Sequence, residues 1–232
     1  MNIIVTGASR GIGYELVKKF TTWPGNHVLA ISRNMEKLLM LQQEVKDNPS
    51  ECSVLSTDLS RISEGEFYES KISPVFDRVD VVVNNAGALV NKPFRELTGN
   101  DFDIMFNTNV RAVFLLVREL LPHFGPESHI VNISSMGGVQ GSSKFPGLSL
   151  YSSSKGAVTI LTECMAEEFK DMGIKVNGLA LGAAATEMLA EAFPGYEAPL
   201  SAGEMAGFIA DFALTGSKFF NGKVLPVAVS TP

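Results

Sequence analysis

The chain has 232 residues, of which 45% are hydrophobic and 19% are charged, and these proportions are typical of a folded domain rather than a disordered chain. Its formal net charge of −6 argues against a surface that binds nucleic acid or an anionic membrane. No apolar run approaches the roughly 20 residues that a membrane span requires. We therefore expect one folded domain with neither a nucleic-acid nor a membrane partner.

The cysteines and histidines form no recognisable pattern. Cys52 and Cys164 are far apart and form neither a CxxC pair nor a cluster with histidine, so we expect reduced thiols in a cytoplasmic protein and no metal site. The first predicted strand begins at residue 2, which leaves no room for a cleavable signal. His27, His123 and His129 have no partner pattern, and we expect them at the surface or at strand ends.

Short apolar, β-branched runs alternate with helical patterns along the chain. The predicted strands cover residues 2–5, 27–31, 52–56, 79–83, 129–133, 174–180 and 223–228. The predicted helices cover residues 12–20, 34–47, 64–73, 101–123, 152–171 and 203–214. Strands that are apolar on both faces and alternate with helices indicate a parallel sheet covered on both sides. The sequence therefore predicts a single α/β, doubly wound Rossmann-type domain over residues 1–232, with a mostly parallel seven-stranded sheet.

The first predicted strand runs directly into a glycine-rich turn, TGASRGIG over residues 6–13, and helical spacing resumes after it. Such a turn lets the backbone approach a pyrophosphate, and the following helix N-terminus favours its negative charge. The glycine spacing is G-x-x-x-G-x-G rather than G-x-G-x-x-G, and taken alone it is equally typical of a tight turn. Between a strand and a helix, it predicts a dinucleotide site.

Arg33 follows the second predicted strand, at the point where an acidic residue would bind the adenosine ribose of NAD(H). Here the chain has Ser32 and Arg33 and no carboxylate. A guanidinium can bind a 2′-phosphate bidentately, whereas a carboxylate would repel it. Arg10, inside the glycine-rich turn, could add a second positive charge. We therefore predict NADP(H) in preference to NAD(H); the alternative is two solvated arginines on loops.

Several further motifs follow in one order: Asp58 in TDLS, NNAG at 84–87, Asn109 in NTNV, Ser135 in NISS, YSSSK at 151–155, and Gly182 with Thr186. With the glycine-rich turn, this ordered set resembles the short-chain dehydrogenase/reductase family over nearly the whole chain. The resemblance implies four catalytic residues: Asn109, Ser135, Tyr151 and Lys155. It also implies that the cofactor contacts Gly7, Ser9, Arg10, Gly11, Ile12, Gly13, Ser32, Arg33, Asp58, Leu59, Asn85, Ala86, Gly87, Tyr151, Lys155, Gly182 and Thr186.

In this family the tyrosine of the YSSSK motif exchanges a proton with the substrate oxygen, which gives Tyr151 that role by resemblance. A free phenol has a pKa of about 10, too high for efficient proton transfer at neutral pH. Lys155 lies one helical turn away, on the same face of the predicted helix. Its ammonium group, with an oxidised nicotinamide ring, is expected to lower the phenol pKa by about 2–3. In the family this lysine also holds the nicotinamide ribose.

The other implied roles each have an alternative. Ser135 would hydrogen-bond the substrate oxygen, with Ser134 as its rival. Asn109 would anchor a water relay to Lys155, although a local hydrogen bond to the backbone would also explain an asparagine in an apolar helix. Asp58 would accept from the adenine amino group, or it could cap a helix.

The remaining cofactor contacts lie on two loops. Residues 85–87 would pass beneath the adenosine, and Thr186 would contact the nicotinamide carboxamide. Leu181 stands where the family has a proline before Gly182, which puts the rigidity of that loop in doubt. The C-terminus, residues 227–232, lacks the glycine-rich ending common in the family.

The sequence thus predicts an oxidoreductase that transfers a hydride between NADP(H) and a small carbonyl or alcohol substrate. The alternative is a non-catalytic, regulatory NADP(H)-binding protein on the same fold; a third possibility, an epimerase or dehydratase, needs a substrate domain for which the chain leaves no room. Residues 187–202 could form a short apolar lid over the site or pack on the core. By resemblance we expect a homodimer or homotetramer.

Overall fold

The apolar, β-branched runs form a parallel sheet in the computed structural model, which describes residues 1–62, 65 and 67–229. The strands are β1 (Asn2–Thr6), β2 (His27–Ser32), β3 (Glu51–Ser56), β4 (Val79–Asn84), β5 (Phe124–Ser135), β6 (Lys175–Leu181), β7 (Ala184–Ala185), β8 (Leu200–Ser201) and β9 (Val224–Val227). Seven of them form one sheet in the order β3-β2-β1-β4-β5-β6-β9, and β7 and β8 pair separately. Every pairing is parallel, so the predicted sheet is confirmed.

Helices connect the strands. They are α1 (Gly11–Thr21), α2 (Met35–Glu44), α3 (Gly99–Phe106), α4 (Ala112–Leu120), α5 (Ser149–Glu168), α6 (Glu187–Ala192) and α7 (Ala202–Thr215). The predicted helix 101–123 is composite, because a π-helical turn, Asn107–Arg111, joins α3 to α4. Within the predicted helix 64–73 the structure has a π-helical turn, Tyr68–Ile72, while Glu64 and Glu66 lie outside the described residues.

Neighbouring positions along β1 face opposite layers, as the side-chain period of a strand requires. Ile3 packs in a cluster with Leu16 of α1 and Ile209 of α7. Ile4 packs in another cluster with Leu115 of α4. The sheet therefore has helices on both faces and is buried on both, as its apolar strands predict. No helix in the described part of the chain combines the length and hydropathy that a membrane crossing requires.

Buried amides connect the two central strands. The Asn84 Nδ2 of β4 donates to Asn132 Oδ1 of β5 at 2.8 Å, and Asn132 Nδ2 donates to Thr162 Oγ1 of α5, also at 2.8 Å. All three side chains are buried. Because a buried amide without a partner costs free energy, this chain of bonds makes the polar residues compatible with the core.

His129 does not lie at the surface or at a strand end; that expectation is wrong. It lies within β5 and is 1% exposed. Its Nδ1 is 2.9 Å from the carbonyl oxygen of Ala213, and its Nε2 is 3.0 Å from Asn177 Nδ2. The Asn177 amide also donates to the carbonyl of Phe220, so Nε2 accepts a hydrogen bond and the ring is neutral. Burial lowers the pKa of His129 from 6.5 to about 4.

This histidine is expected to make the fold sensitive to acid. The pKa of His129 is lower in the folded protein than in the unfolded chain, so the unfolded chain takes up the proton first as the pH falls from 6.5 to about 4. Over this range the free energy of unfolding should decrease by up to about 3 kcal/mol. In urea unfolding at pH 7 and pH 4.5, His129→Gln should show a smaller loss than the unaltered protein. His123→Gln, at a half-buried position outside the core, is the control. An unchanged acid dependence in His129→Gln would contradict the prediction.

Candidate active site

A cleft of about 420 Å³ runs along the carboxyl ends of the parallel strands, where ligands bind in doubly wound sheets. Most of the predicted site residues line it: Gly7, Ser9, Arg10, Gly11, Ile12, Ser32, Arg33, Asp58, Leu59, Asn85, Ala86, Gly87, Ser135, Tyr151, Lys155, Gly182 and Thr186. Gly13 and Asn109 do not line the wall, but they lie against its Gly7 and Gly87. Among the described residues, no three His, Cys, Asp or Glu side chains are grouped as metal ligands are.

The glycine-rich turn is built so that no side chain fits at its key positions. Gly7 has a φ of 71°, in the left-handed region that favours glycine. A Cβ on Gly7 would lie 2.8 Å from Ala86 Cα, and one on Gly13 would lie 2.3 Å from the carbonyl oxygen of Gly7. The turn therefore packs directly against the loop after β4. Its Gly7 and Gly11 line the cleft at the start of α1, an arrangement that fits a pyrophosphate at a helix N-terminus.

The far end of this cleft carries the groups predicted to surround the adenosine. Ser32 Oγ donates to Ser9 Oγ at 2.8 Å. Asp58 accepts from the Ser60 backbone N–H at 3.0 Å, so the predicted alternative, a helix cap, is present, and Asp58 also lines the cleft. Burial raises the pKa of Asp58, but hydrogen bonds from Ser60 and the charges of Arg33 and Arg61 outweigh it and leave the pKa below its usual value.

Arg10 is already paired. Its Nη1 lies 2.5 Å from Glu191 Oε1 of α6, and this hydrogen bond raises the pKa of the guanidinium. The partner was missed by the sequence analysis, because residues so far apart in the chain give no spacing signal. The ion pair connects the glycine-rich turn to the segment predicted as a lid.

Tyr151 and Lys155 lie in the first two turns of α5, which begins at Ser149. Ser135, the last residue of β5, hydrogen-bonds the Tyr151 hydroxyl. Ser134 does not, because its hydroxyl donates to the carbonyl of Lys155 at 2.9 Å. The structure thus brings Ser135, rather than its rival, to the phenol.

Burial dominates the electrostatics of this tyrosine and lysine pair. Burial raises the pKa of Tyr151, and the hydrogen bond from Ser135 only partly opposes it. Burial also lowers the pKa of Lys155 from 10.5 to about 8. The Lys155 Nζ donates to the carbonyl of Ile133 at 2.8 Å and lies 5.9 Å from the centre of the Tyr151 ring. Among the protein's own groups, burial therefore dominates the pKa of Tyr151. The predicted lowering of the phenol pKa also includes the charge of an oxidised nicotinamide ring, so it stays a prediction.

The Asn109 side chain makes three hydrogen bonds to residues distant in the sequence. Its Oδ1 accepts from the backbone N–H of Ala88 at 2.7 Å, and its Nδ2 donates to the Ala88 carbonyl at 3.0 Å and to Ser154 Oγ at 2.9 Å. A Cβ on Gly87 would lie 3.4 Å from Asn109 Oδ1 and 3.5 Å from Lys155 Nζ. The amide therefore holds the loop after β4 against α5, beside the lysine.

The loop that follows β6 is well supported despite the missing proline. Leu181 is buried, and the N–H of Gly182 donates to the carbonyl of Val227 at 2.9 Å. Thr186 caps α6 by accepting from the N–H of Leu189 at 3.2 Å. Val227, where the atypical C-terminal segment begins, thus supports this loop directly; residues 230–232 lie outside the described part of the chain.

A second residue was missed by the sequence analysis. Asn91 follows β4, and its Nδ2 donates to the carbonyl of Ala192 at the end of α6, at 2.9 Å. The neighbouring Lys92 N–H donates to the carbonyl of Gly147, just before α5, at 3.1 Å. Three segments distant in sequence therefore meet at the tyrosine end of the cleft. None of them carries a sequence motif that predicts this contact.

Comparison with known proteins agrees with this geometry. The family profile described as short chain dehydrogenase matches residues 1–197. Gluconate 5-dehydrogenase of Gluconobacter oxydans is 37% identical over 191 residues, which are 80% of this chain and 72% of that protein. Carbonyl reductase [NADPH] 2 of Sus scrofa is 36% identical over 183 residues, or 77% of this chain and 70% of the other. The crystal structure of a dehydrogenase/reductase from Sinorhizobium meliloti 1021 superposes with a TM-score of 0.84 at 29% identity, covering 98% of this chain and 93% of that one. The chain belongs to the short-chain dehydrogenase/reductase family of oxidoreductases.

Proposed function

We propose that this protein is an NADP(H)-dependent reductase of carbonyl compounds, able to run in reverse as an alcohol dehydrogenase. One observation carries the proposal: the Tyr151 hydroxyl lies in the cleft, hydrogen-bonded to Ser135, with the Lys155 side chain one helical turn away. A phenol, a hydroxyl and an amine in one buried cleft are the groups that proton exchange with a carbonyl oxygen requires.

Bound NADPH would supply the hydride to the carbonyl carbon and leave as NADP⁺. Tyr151 would give its proton to the carbonyl oxygen, which becomes the alcohol, and would regain a proton from solvent. Ser135 would donate a hydrogen bond to the same oxygen as negative charge develops there. The Lys155 ammonium would stabilise the phenolate left on Tyr151, because opposite charges attract strongly in a poorly solvated cleft.

The preference for NADP(H) rests on charge at the adenosine end. Arg33 and Arg10 both line the cleft, Arg10 in its ion pair with Glu191, and Ser9 and Ser32 add hydroxyls. Described carboxylates in this part of the wall are Asp58, which is bonded to Ser60, and Glu187. The name of the Sus scrofa relative specifies NADPH, which supports the same choice for this chain.

Arg33→Ala should weaken NADPH selectively. Hydrogen bonds to a charged group contribute roughly 1.5–3 kcal/mol, so we expect the KM for NADPH to rise about tenfold or more while the KM for NADH stays nearly unchanged. Steady-state kinetics with both cofactors measures this. Arg95→Ala removes an exposed arginine that pairs with Glu96 and does not line the cleft, and it serves as the control. An equal loss for both cofactors would contradict a 2′-phosphate contact.

The alternative, a regulatory NADP(H)-binding protein without turnover, is tested by measuring NADPH oxidation against ketones, aldehydes and acyl thioesters. Turnover supports the reductase. Tight NADPH binding with no oxidation in any member of a broad panel would favour the regulatory protein. The Ser135–Tyr151 contact favours the enzyme, because a cofactor sensor has no use for it.

We further propose a cytoplasmic homodimer or homotetramer that acts on a small molecule. Apolar side chains are exposed on the helices beside the sheet: Phe102 at 47%, Phe114 at 46% and Ile160 at 59%. Such a surface is typical of a subunit contact. Light scattering that gives a monomer of 25.0 kDa would contradict the assembly.

A further inference from the structure

Three segments enclose the tyrosine end of the cleft: residues 88–92, residues 145–148 and residues 192–196. Asn91 connects the first to the third through the Ala192 carbonyl at 2.9 Å. Lys92 connects the first to the second through the Gly147 carbonyl at 3.1 Å. The substrate of the proposed reaction would be held by what these segments present to Tyr151.

They present mainly apolar groups. The wall here includes Leu89, Phe145, Leu148, Phe193 and Tyr196. The nearby polar side chains of the wall are the hydroxyls of Ser142 and Ser143, which carry no charge. A wall of this composition favours an alkyl or aryl body.

The charged residues of the described wall lie elsewhere. Arg33 and Asp58 are at the adenosine end, and Lys155 lies behind the tyrosine, bonded to the Ile133 carbonyl. Arg10, in the glycine-rich turn, is paired with Glu191. Glu187 lies beside the glycine-rich turn, since a Cβ on Gly11 would be 3.5 Å from its carboxylate. None of these charges belongs to the three segments that surround the substrate end.

Two lysines close to this end are engaged with other partners. The Lys92 Nζ lies 2.7 Å from Asp101 Oδ1. The Lys144 Nζ donates to the Val139 carbonyl and to Ser142 Oγ, both at 2.7 Å. The third N–H donor of Lys144 is used by the Ser142 carbonyl at 3.1 Å. A carboxylate or phosphate on the substrate would therefore lose its hydration here without gaining a hydrogen bond from a cation, and an unpaired charge is costly to desolvate.

We infer that the substrate is a neutral, predominantly apolar ketone or aldehyde, and that carbonyl compounds bearing a carboxylate or a phosphate are excluded. The inference rests on the proposed reductase activity and narrows its substrate class. The recognition is by contact with Phe145, Phe193 and Tyr196 and by the absence of a charge partner at this end of the described wall.

The test compares para-acetylbenzoate with its methyl ester, which share the ketone and the ring but differ in charge. Their affinities would be measured by calorimetry on Tyr151→Phe protein saturated with NADPH, because this variant is not expected to consume the ligand. We expect the ester to bind at least about 100-fold more tightly. Equal or tighter binding of the carboxylate, or no measurable binding of the ester, would overturn the inference.

Turnover by the unaltered protein separates this inference from the proposed function. If the ester binds preferentially and is reduced, the neutral substrate class and the reductase activity are both supported. If the ester binds preferentially and no NADPH is oxidised, the neutral ligand class stands and the reductase is overturned.

A gain-of-function variant tests the cause. Tyr196 is 46% exposed at the rim, so Tyr196→Arg should fold normally and supply the missing cation. We expect its affinity for para-acetylbenzoate to rise about tenfold while that for the ester does not rise. Phe219→Arg, at a 77% exposed position away from the described wall, is the matched control. If Tyr196→Arg does not raise the affinity for para-acetylbenzoate, the lack of a cation is not the reason that carboxylates are excluded.

Discussion

Tyr151→Phe is expected to abolish carbonyl reduction while the fold and NADPH binding persist. The substitution removes one hydroxyl from the cleft and keeps the ring that packs there. Because a positioned acid contributes about 10²–10⁴-fold to such a reaction, we expect kcat to fall by about 1,000-fold. Single-turnover oxidation of NADPH measures the chemical step, and NADPH fluorescence measures binding in the same sample.

Tyr14→Phe is the matched control for this variant. The Tyr14 hydroxyl bonds to Glu44 on the outer side of α1, so the same atom is deleted outside the cleft. We expect no change in kcat. A Tyr151→Phe protein that retained turnover within about tenfold of the unaltered protein would contradict the role of the phenol as the acid.

Lys155→Met is expected to inactivate the protein and to stabilise it at the same time. Lys155 is 5% exposed, and its lowered pKa of about 8 means that folding disfavours its ammonium form. Below pH 8 the charge therefore costs the folded state about 3 kcal/mol. Methionine removes that cost but also removes the hydrogen bond from Nζ to the Ile133 carbonyl, which costs roughly 1 kcal/mol. The net gain in the free energy of unfolding at pH 7 should be about 2 kcal/mol.

The pH dependence identifies the cause of this gain. Between pH 8 and 10.5 the unfolded chain binds the lysine proton and the folded chain does not, so the unaltered protein gains stability with rising pH. The advantage of Lys155→Met should therefore shrink across this window. Urea unfolding at pH 7 and pH 9.5 measures it, with Lys170→Met at an exposed site as control. If Lys155→Met has a lower free energy of unfolding than the unaltered protein at pH 7, the buried ammonium does not destabilise the fold.

The strands, the glycine-rich turn and the polar residues of the cleft could be predicted because each depends on local pattern. Alternation of apolar runs with helical spacing places β1 to β6, and the YSSSK motif places Tyr151 and Lys155 on one helix face. The partners of Arg10 and Asn91 could not be predicted, because Glu191 and Ala192 are distant in sequence and meet them only when the lid segment folds back.

Burial was the quantity that the sequence left undetermined. Spacing along a helix predicts that an ammonium lies near a phenol, and it does. It does not predict how strongly both are desolvated, and burial raises the pKa of Tyr151 and lowers that of Lys155. His129 was misplaced for the same reason, since a strand pattern does not reveal how deeply a polar position is covered by α7.

The hydrogen bond between Asn84 and Asn132 also fixes the register of β4 against β5. The two residues are directly paired across the strands, and a shift of one position would turn one amide to the opposite face of the sheet and leave its partner unsatisfied in the core. β4 leads directly into residues 85–87, which line the cleft, and β5 ends at Ser135, which also lines it. Two amides remote from solvent therefore fix the position of Ser135 relative to residues 85–87. Changes in the loops above can alter what the cleft accepts without disturbing that alignment.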